Sequence, residues 1–129
     1  MAYYGERSER RLVTVKEELQ RVCRSVIQYY DHTIIRGYSG EVEQNDIFSR
    51  GFSMKEFPDS KHNTNPSDAV DLAPYPIDWN DINRFILLAG MMLQSGFLLG
   101  IPLRWGGDWN RNMVMKDQKF MDWGHFELV

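Results

Sequence analysis

The stretch of residues 60–74, SKHNTNPSDAVDLAP, decides the fold, because it changes from polar loop to apolar strand within a few positions. Alternation in its second half places Val70 and Leu72 on one face of a strand and Asp71 on the other. Its first half closes a polar loop that spans residues 52–67, and long loops in compact domains are commonly functional. The sequence therefore predicts a core strand that carries an acidic side chain away from the core, beside a functional loop.

Three helices are predicted where apolar residues recur every three or four positions. The first follows a capping box formed by Thr14 and Glu17 and extends to about Tyr30, and Gly51 is expected to stop the second. The expected N-terminal caps of the other two are Ser39 for the second helix and Asp78 or Asn80 for the third. The residues expected to face inward are Val42, Ile47 and Phe48 in the second helix and Ile82, Phe85, Ile86, Ala89, Met92, Leu93 and Phe97 in the third.

Four short segments are predicted as strands, at residues 33–36, 69–73, 101–105 and 125–128. Helices and strands do not alternate regularly, which favours an α+β fold with about three helices on a small antiparallel sheet. A chain of 129 residues is long enough for one hydrophobic core. We therefore expect a single small domain, preceded by an N-terminal extension over residues 1–13.

Composition excludes several classes of partner. The net charge of -3 gives no basic field for nucleic acid, and the single cysteine, Cys23, excludes an internal disulfide. The apolar run of residues 85–103 is interrupted by Gln94 and Ser95, so we expect a core helix and no membrane insertion. The first residues lack the apolar core of a secretory signal. We expect a monomer made in a cytoplasm.

Two of the three histidines can join an acid in a metal site. His62, Asp71 and His125 supply two imidazoles and a carboxylate, which is a complete ligand set for a catalytic zinc ion, and Asp122 is close enough to act as a base. The spacing of these residues does not by itself decide whether they form a metal site, because no HExxH motif is present and each histidine can be an ordinary polar residue. His32 follows the first helix, where we expect it to contact the last carbonyls, outside the site.

Three motifs carry a family resemblance. Residues 60–71 resemble the SxHxxGxAxD signature of the zinc D-Ala-D-Ala carboxypeptidase and L-alanyl-D-glutamate endopeptidase superfamily. Residues 122–128, DWGHFEL, resemble its (D/E)xxH motif, and residues 103–109, LRWGGDW, are similar to a stretch of its phage endolysin branch. The similarity extends in order over residues 14–128.

The resemblance implies a role for each matching residue. His62, Asp71 and His125 fall on the zinc ligands of the family, and Asp122 falls on its catalytic base. Ser60 matches the first position of the signature, where we expect it to support the site through hydrogen bonding. Trp105 is also expected to support the site or to line the substrate cleft. Glu127 lies two residues past His125 on the same face of a strand, where it is either a supporting or substrate-cleft residue or a surface or structural acid.

The chain departs from the family pattern in two places. The histidine and the aspartate of the signature are nine positions apart, where the family has seven. Ser39 stands where a G-x-R pattern would supply the arginine that polarises the scissile carbonyl, and losing such a group can cost about 10²–10³ in rate. Arg36 and Arg104 are candidate substitutes, although Arg36 can point to the other side of its strand.

The resemblance implies a zinc-dependent hydrolase of peptidoglycan stem peptides that cuts the L-Ala–D-Glu bond and acts in bacteriophage lysis. Such an enzyme would wait in the host cytoplasm until it is released to the cell wall. One alternative is a D-Ala-D-Ala carboxypeptidase or dipeptidase. Another is a zinc-containing wall-binding or virion structural module with weakened catalysis, which Ser39 in place of arginine would permit.

Overall fold

The alternating apolar segments pair into one antiparallel sheet in the computed structural model, which describes residues 2–129. The strand order is β1-β2-β4-β3. The strands are β1 at His32–Arg36, β2 at Ala69–Pro74, β3 at Leu103–Trp105 and β4 at His125–Leu128. The helices are α1 at Glu6–Leu12, α2 at Glu17–Ile27, α3 at Glu41–Ser49 and α4 at Ile82–Leu99, with a short 3-10 helix, η1, at Lys61–Asn63. The predicted α+β class and antiparallel sheet are confirmed.

The strand register places three polar side chains in a row. Asp71 on β2 pairs with Arg36 on β1 and with His125 on β4. Directly paired residues of antiparallel strands point to the same face of a sheet and lie within contact distance. The register therefore brings together residues that are far apart in the chain.

The other face of the sheet supports the hydrophobic core. Val70 and Leu72 are almost fully buried, as the alternation predicted, and Phe126 on β4 is buried beside them. Two helices, α2 and α4, pack on each other and close this core. The helical side of the sheet thus stabilises the fold, and the opposite face is free to carry the polar row.

The N-terminal segment contains a helix that periodicity did not predict. Helix α1 packs on β1, with Leu12 fully buried. The predicted capping box is wrong, because Lys16 precedes α2 and the Thr14 hydroxyl instead donates to the carbonyl of Arg11. The same hydroxyl accepts a hydrogen bond from the backbone of Tyr38, so Thr14 joins α1 to the chain after β1.

Helix α3 buries a polar residue, and of the three residues predicted to face inward only Ile47 is partly buried. Val42 is 86% exposed and Phe48 is exposed, whereas Gln44 is fully buried. The Gln44 amide is buried because it donates to the Ser53 hydroxyl and to the backbone of the following loop. Gly40, and not Ser39, precedes the first turn.

Helix α4 follows the predicted pattern except at its ends. Phe85, Ala89 and Met92 are buried, but Phe97, expected in the core, is 77% exposed. The residue before the helix is Asp81, which makes no side-chain capping bond, so neither predicted cap holds. Among residues 2–129, α4 is the one helix long and apolar enough to cross a membrane, a test that core helices also pass. The absence of membrane insertion stays a prediction.

Candidate active site

The short helix η1 fixes the position of His62. The Ser60 hydroxyl accepts a hydrogen bond from the backbone of His62, and Asn63 bonds back to the backbone of Ser60, which together form a capping box. Ser39 holds the outer side of this turn, since its backbone N–H donates to the carbonyl of His62 at 2.8 Å. Local hydrogen bonds therefore turn the His62 imidazole inward, where it is fully buried.

Three atoms of the kind that bind metal ions, two imidazole nitrogens and one carboxylate oxygen, come from distant parts of the chain and meet over the sheet. The Oδ1 atom of Asp71 lies 3.1 Å from Nε2 of His62 and 3.1 Å from Nδ1 of His125. The two imidazole nitrogens are 3.3 Å apart. Two imidazoles and one carboxylate, with room for a further ligand, are the usual protein ligands of a catalytic zinc site. The structure thus brings together the three residues that the sequence suggested as ligands.

The outward-facing nitrogens determine which tautomer each histidine adopts. Nδ1 of His62 donates to the carbonyl of Gly37 at 2.8 Å, and Nε2 of His125 donates to Oε1 of Glu127 at 2.8 Å. In the neutral imidazoles the inner nitrogens are therefore unprotonated, and they face the Asp71 carboxylate. Three hydrogen-bond acceptors in mutual contact repel one another unless a cation lies among them. The donor set of this centre thus fits a metal ion.

The charges of the three side chains lead to the same conclusion. Burial raises the pKa of Asp71, but His62 and His125 outweigh this effect and hold that pKa well below its usual range. Burial lowers the pKa of His125, yet its hydrogen bonds to Asp71 and Glu127 are stronger and raise it to about 10. Without a metal, a proton on His125 supplies the positive charge that the centre needs.

Asp122 lies at the edge of the centre and is not one of its ligands. Its Oδ2 atom is 3.9 Å from Nδ1 of His125, and its backbone N–H donates to the carbonyl of Gly106 at 2.9 Å. A side chain at Gly106 would collide with the carbonyl of Asp122, so glycine permits this close approach. Burial and the charge of Asp71 raise the pKa of Asp122 to about 6. A half-buried carboxyl group with such a pKa is able to exchange protons near neutral pH.

Glu127 connects the centre to two cations. Its Oε1 atom accepts from His125, and its Oε2 atom lies 3.1 Å from Nη1 of Arg104 and 3.8 Å from Nζ of Lys61. Burial raises the pKa of Glu127, but the hydrogen bond from His125 lowers it and helps to outweigh the effect of burial. The pKa lies below its usual value, so the carboxylate stays ionised. Arg104 therefore lies behind Glu127, and it reaches the histidine only through that carboxylate.

Arg36 points toward the centre and Ser39 does not. The Nε of Arg36 donates to Oδ2 of Asp71 at 3.1 Å, which leaves Oδ1 for the two histidines. Ser39 is fully buried outside the cleft, and its hydroxyl donates to Glu43. Of the two arginines considered as substitutes for a missing cation, Arg36 is the one that lines the cleft.

Aromatic side chains that the sequence analysis did not assign to the site form the cleft walls. Trp109 packs its ring 5.3 Å from that of His125, and its indole N–H donates to the carbonyl of Phe120. Phe52 and Met54 also line the cleft and are largely exposed. Trp105, by contrast, is buried in the core and donates to a backbone carbonyl outside the cleft. The LRWGGDW run contained the signal, but its second tryptophan, and not its first, reaches the cleft.

The cleft has a volume of about 210 Å³ and is lined by His62 and His125, the two histidines of the centre. Its charged lining includes Arg36, Lys61, Asp122 and Glu127. This arrangement can hold a metal ion, exchange a proton beside it, and surround an extended peptide with aromatic side chains. It therefore has the parts that metal-assisted hydrolysis of a peptide requires.

Comparison with known proteins agrees with this geometry. The L-alanyl-D-glutamate peptidase of Escherichia phage T5 is 40% identical over 135 residues, which cover 98% of this chain and 97% of that protein. The fold is also similar to that of the L-Ala D-Glu endopeptidase ChiX of Serratia marcescens, with a TM-score of 0.79 at 24% identity over the whole of this chain and 90% of the other. The family model of the phage L-alanyl-D-glutamate peptidases matches residues 1–129. The chain belongs to the phage L-alanyl-D-glutamate peptidase family.

Proposed function

We propose that this protein is a zinc-dependent endopeptidase that hydrolyses the L-Ala–D-Glu bond of peptidoglycan stem peptides. One observation carries the proposal. Three hydrogen-bond acceptor atoms, from His62, Asp71 and His125, lie within 3.3 Å of one another, and the N–H groups of the two histidines point outward. The family membership supports the bond that is cut, because the relatives are named for L-alanyl-D-glutamate.

Each residue of the centre has a separate role in the proposed hydrolysis. His62, Asp71 and His125 would hold a zinc ion, which when bound would supply Lewis-acid chemistry: a lower pKa, toward about 7, for a bound water molecule and polarisation of the scissile carbonyl. The Asp122 carboxylate accepts the proton of the attacking water. As the new C–O bond forms and the C–N bond breaks, Asp122 returns that proton to the nitrogen of the leaving amine. The products of the hydrolysis are a carboxylate and a free amine.

The walls of the cleft orient the peptide. Trp109, whose ring lies beside those of His125 and Phe120, presents apolar surface to the cleft, and Phe52 adds to its lining. Such surfaces hold an extended peptide and displace water, which strengthens the electrostatic interactions at the reacting bond. Arg36 keeps Asp71 in place from the neighbouring strand.

Digestion of purified peptidoglycan tests the proposal. With zinc supplied, the wild-type protein should release new amino termini on D-glutamate, and a chelator should abolish this release. The Asp122→Asn variant serves as the matched control, because it removes the proposed base and keeps the shape of the side chain. Release of free D-alanine without new glutamate termini would instead indicate a carboxypeptidase. Zinc binding without any cleavage would indicate the non-catalytic module.

The place of action is part of the same proposal. A phage enzyme that cuts the stem peptide is made in the host cytoplasm and reaches the wall at lysis. Fractionation of infected cells before and after lysis follows the protein directly, and its presence outside the membrane throughout infection would contradict this course.

A further inference from the structure

A recess lined by arginines adjoins the catalytic cleft. It has a volume of about 410 Å³ and lies between the end of α1, the end of β1 and the start of α3. Its charged lining consists of Arg7, Arg10, Arg11, Arg36 and Glu43. Four cations and one anion give the recess a positive surplus in a chain whose net charge is -3.

Part of this positive charge is not used inside the protein. Arg7 is exposed and makes no side-chain hydrogen bond or ion pair within residues 2–129. Arg36 binds Asp71 through Nε, but its Nη1 atom is buried without a partner. The acid of the recess, Glu43, already accepts a hydrogen bond from Ser39. Guanidinium groups that have N–H groups without a partner are well suited to bind a carboxylate, which can accept two parallel hydrogen bonds.

The other two arginines are engaged with the protein. Arg10 pairs with Glu6 at the surface of α1, and Nη1 of Arg11 donates to the carbonyl of Ile34 at 3.0 Å. Their charges remain within the recess, but their hydrogen bonds are partly satisfied. Arg7 is therefore the exposed arginine without a partner inside the protein, and Arg36 is the one that keeps a buried, unpaired Nη1 atom.

The recess continues into the cleft through two residues. Arg36 lines both spaces, and its Nε lies 3.1 Å from the carboxylate of Asp71. Gly37, in the wall of the recess, accepts the hydrogen bond from Nδ1 of His62. A group bound in the recess is thus separated from the metal ligands by a single side chain or a single peptide.

The proposed substrate carries a matching charge. A glutamyl residue has two carboxyl groups, and when the chain continues through one of them the other remains free and ionised at neutral pH. A peptide that ends beyond this residue has a second carboxylate at its terminus. Both are planar anions of the kind that arginine binds.

We propose that the arginine recess is an anion subsite that binds a free carboxylate of the peptide substrate. This inference rests on the proposed function. It adds to the metal centre a second recognition element, which distinguishes acidic stem peptides from amidated ones. Arg36 lies at the junction with the cleft, and Arg7 contributes its charge to the lining of the recess.

Direct binding measurements test this subsite without requiring turnover. Zinc-loaded Asp122→Asn protein is titrated calorimetrically with a stem peptide containing a free glutamyl carboxylate, with the same peptide amidated at that carboxylate, and with a peptide amidated only at its terminus. We expect at least one amidation to weaken binding about 3–10-fold, and the two arms identify which carboxylate is bound.

The Arg7→Gln change in the same background assigns the effect to the recess. It should reduce the ratio between acidic and amidated peptides toward one. Arg21→Gln is the matched control, because Arg21 is also an exposed, unpaired arginine on a helix, and it should leave the ratio unchanged. Equal affinity for all three peptides, or equal behaviour of the two variants, would overturn the subsite. The peptidase proposal would be unaffected, since cleavage by the wild-type protein tests it separately.

Discussion

Glu127 accepts a hydrogen bond from Nε2 of His125 at 2.8 Å, and both side chains are buried. Because a carboxylate can only accept, the proton of the neutral imidazole lies on Nε2, and Nδ1 faces Asp71 with its lone pair free. Arg104 and Lys61 hold the other oxygen of the carboxylate. The orientation of one histidine of the centre is therefore set by Glu127, which contacts the outer nitrogen of that histidine and is not one of the three clustered residues.

Replacing Glu127 by glutamine should weaken zinc binding about 10–100-fold, as is typical for the partners of metal-binding histidines. The amide is neutral and can also present its NH₂ group to the imidazole, so the tautomer is no longer fixed. Competition with a chromophoric chelator measures the affinity, and ring-nitrogen NMR shifts report the tautomer. Glu41→Gln, on the exposed surface of α3, is the control. Unchanged affinity and tautomer would show that Glu127 has no positioning role.

Asp122→Asn should keep the metal and lose about 10²–10⁴ in kcat, because the amide cannot accept the proton of the attacking water. His62→Ala should lose both the metal and the activity, since it removes a ligand. Metal content and the rate of peptide cleavage, measured on the same preparations, separate the two effects. Asp59→Asn, in the exposed part of the loop, should change neither quantity. Near-normal turnover in Asp122→Asn would exclude this residue as the base.

Zinc binding should release about one proton at neutral pH. In the metal-free protein the pKa of His125 is raised to about 10 by its hydrogen bonds to Asp71 and Glu127, so the ion must displace a proton from Nδ1. The affinity should then rise about tenfold per pH unit below that pKa. Calorimetry in two buffers of different ionisation enthalpy counts the protons. His32→Asn protein, altered far from the centre, should release the same number. Binding without proton release would contradict the assigned charge state.

The buried His32 should make stability sensitive to mildly acidic pH. Burial lowers the pKa of His32, and its Nδ1 atom donates to the carbonyl of Tyr30 at 2.9 Å. The unfolded chain then binds a proton more readily than the folded one, so this contribution is complete above the ordinary histidine pKa of about 6.5 and is lost as the pH falls below it, until the folded pKa is reached. The loss is at most about 1.4 kcal/mol per pH unit.

Denaturant unfolding at about pH 7.5 and 5.5 measures this term as a difference between proteins. His32→Asn should flatten the pH dependence relative to wild type, whatever its effect on stability at the higher pH. The other titrating groups are the same in both proteins, so they cancel. Parallel pH profiles would show that His32 is protonated equally in the folded and unfolded chains.

Trp109 should contribute to catalysis through its ring. Its indole packs 5.3 Å from His125 and lines the cleft, so Trp109→Ala should lower kcat/KM about tenfold by exposing the reacting bond to water. Trp109→Phe keeps an aromatic ring but loses the hydrogen bond to Phe120, and it should retain most of the activity. Equal losses in the two variants would assign the effect to the hydrogen bond.

The sequence by itself determined the strand that carries Asp71, the core helix α4 and the three residues that meet at the candidate metal centre. Strand alternation and helical periodicity are local signals, because each depends only on which face of one element is buried. The identity of the ligands came from residue chemistry and motif order. Neither signal depends on how elements are arranged in space.

Only the tertiary structure decided which polar residues serve the centre and which serve the fold. Arg36 faces Asp71 because the β1–β2 register shifts between Ile34 and Arg36, while Ser39 is buried because its turn supports η1. Trp109 rather than Trp105 reaches the cleft through contacts between segments that no local pattern relates, whereas the contact of Glu127 with His125 follows from their spacing of two on β4. The burial of a polar residue on α3 also has a tertiary origin, since the burial of Gln44 depends on the loop that follows the helix. Long-range packing therefore determined which of these side chains contact one another, although their positions in the sequence were known.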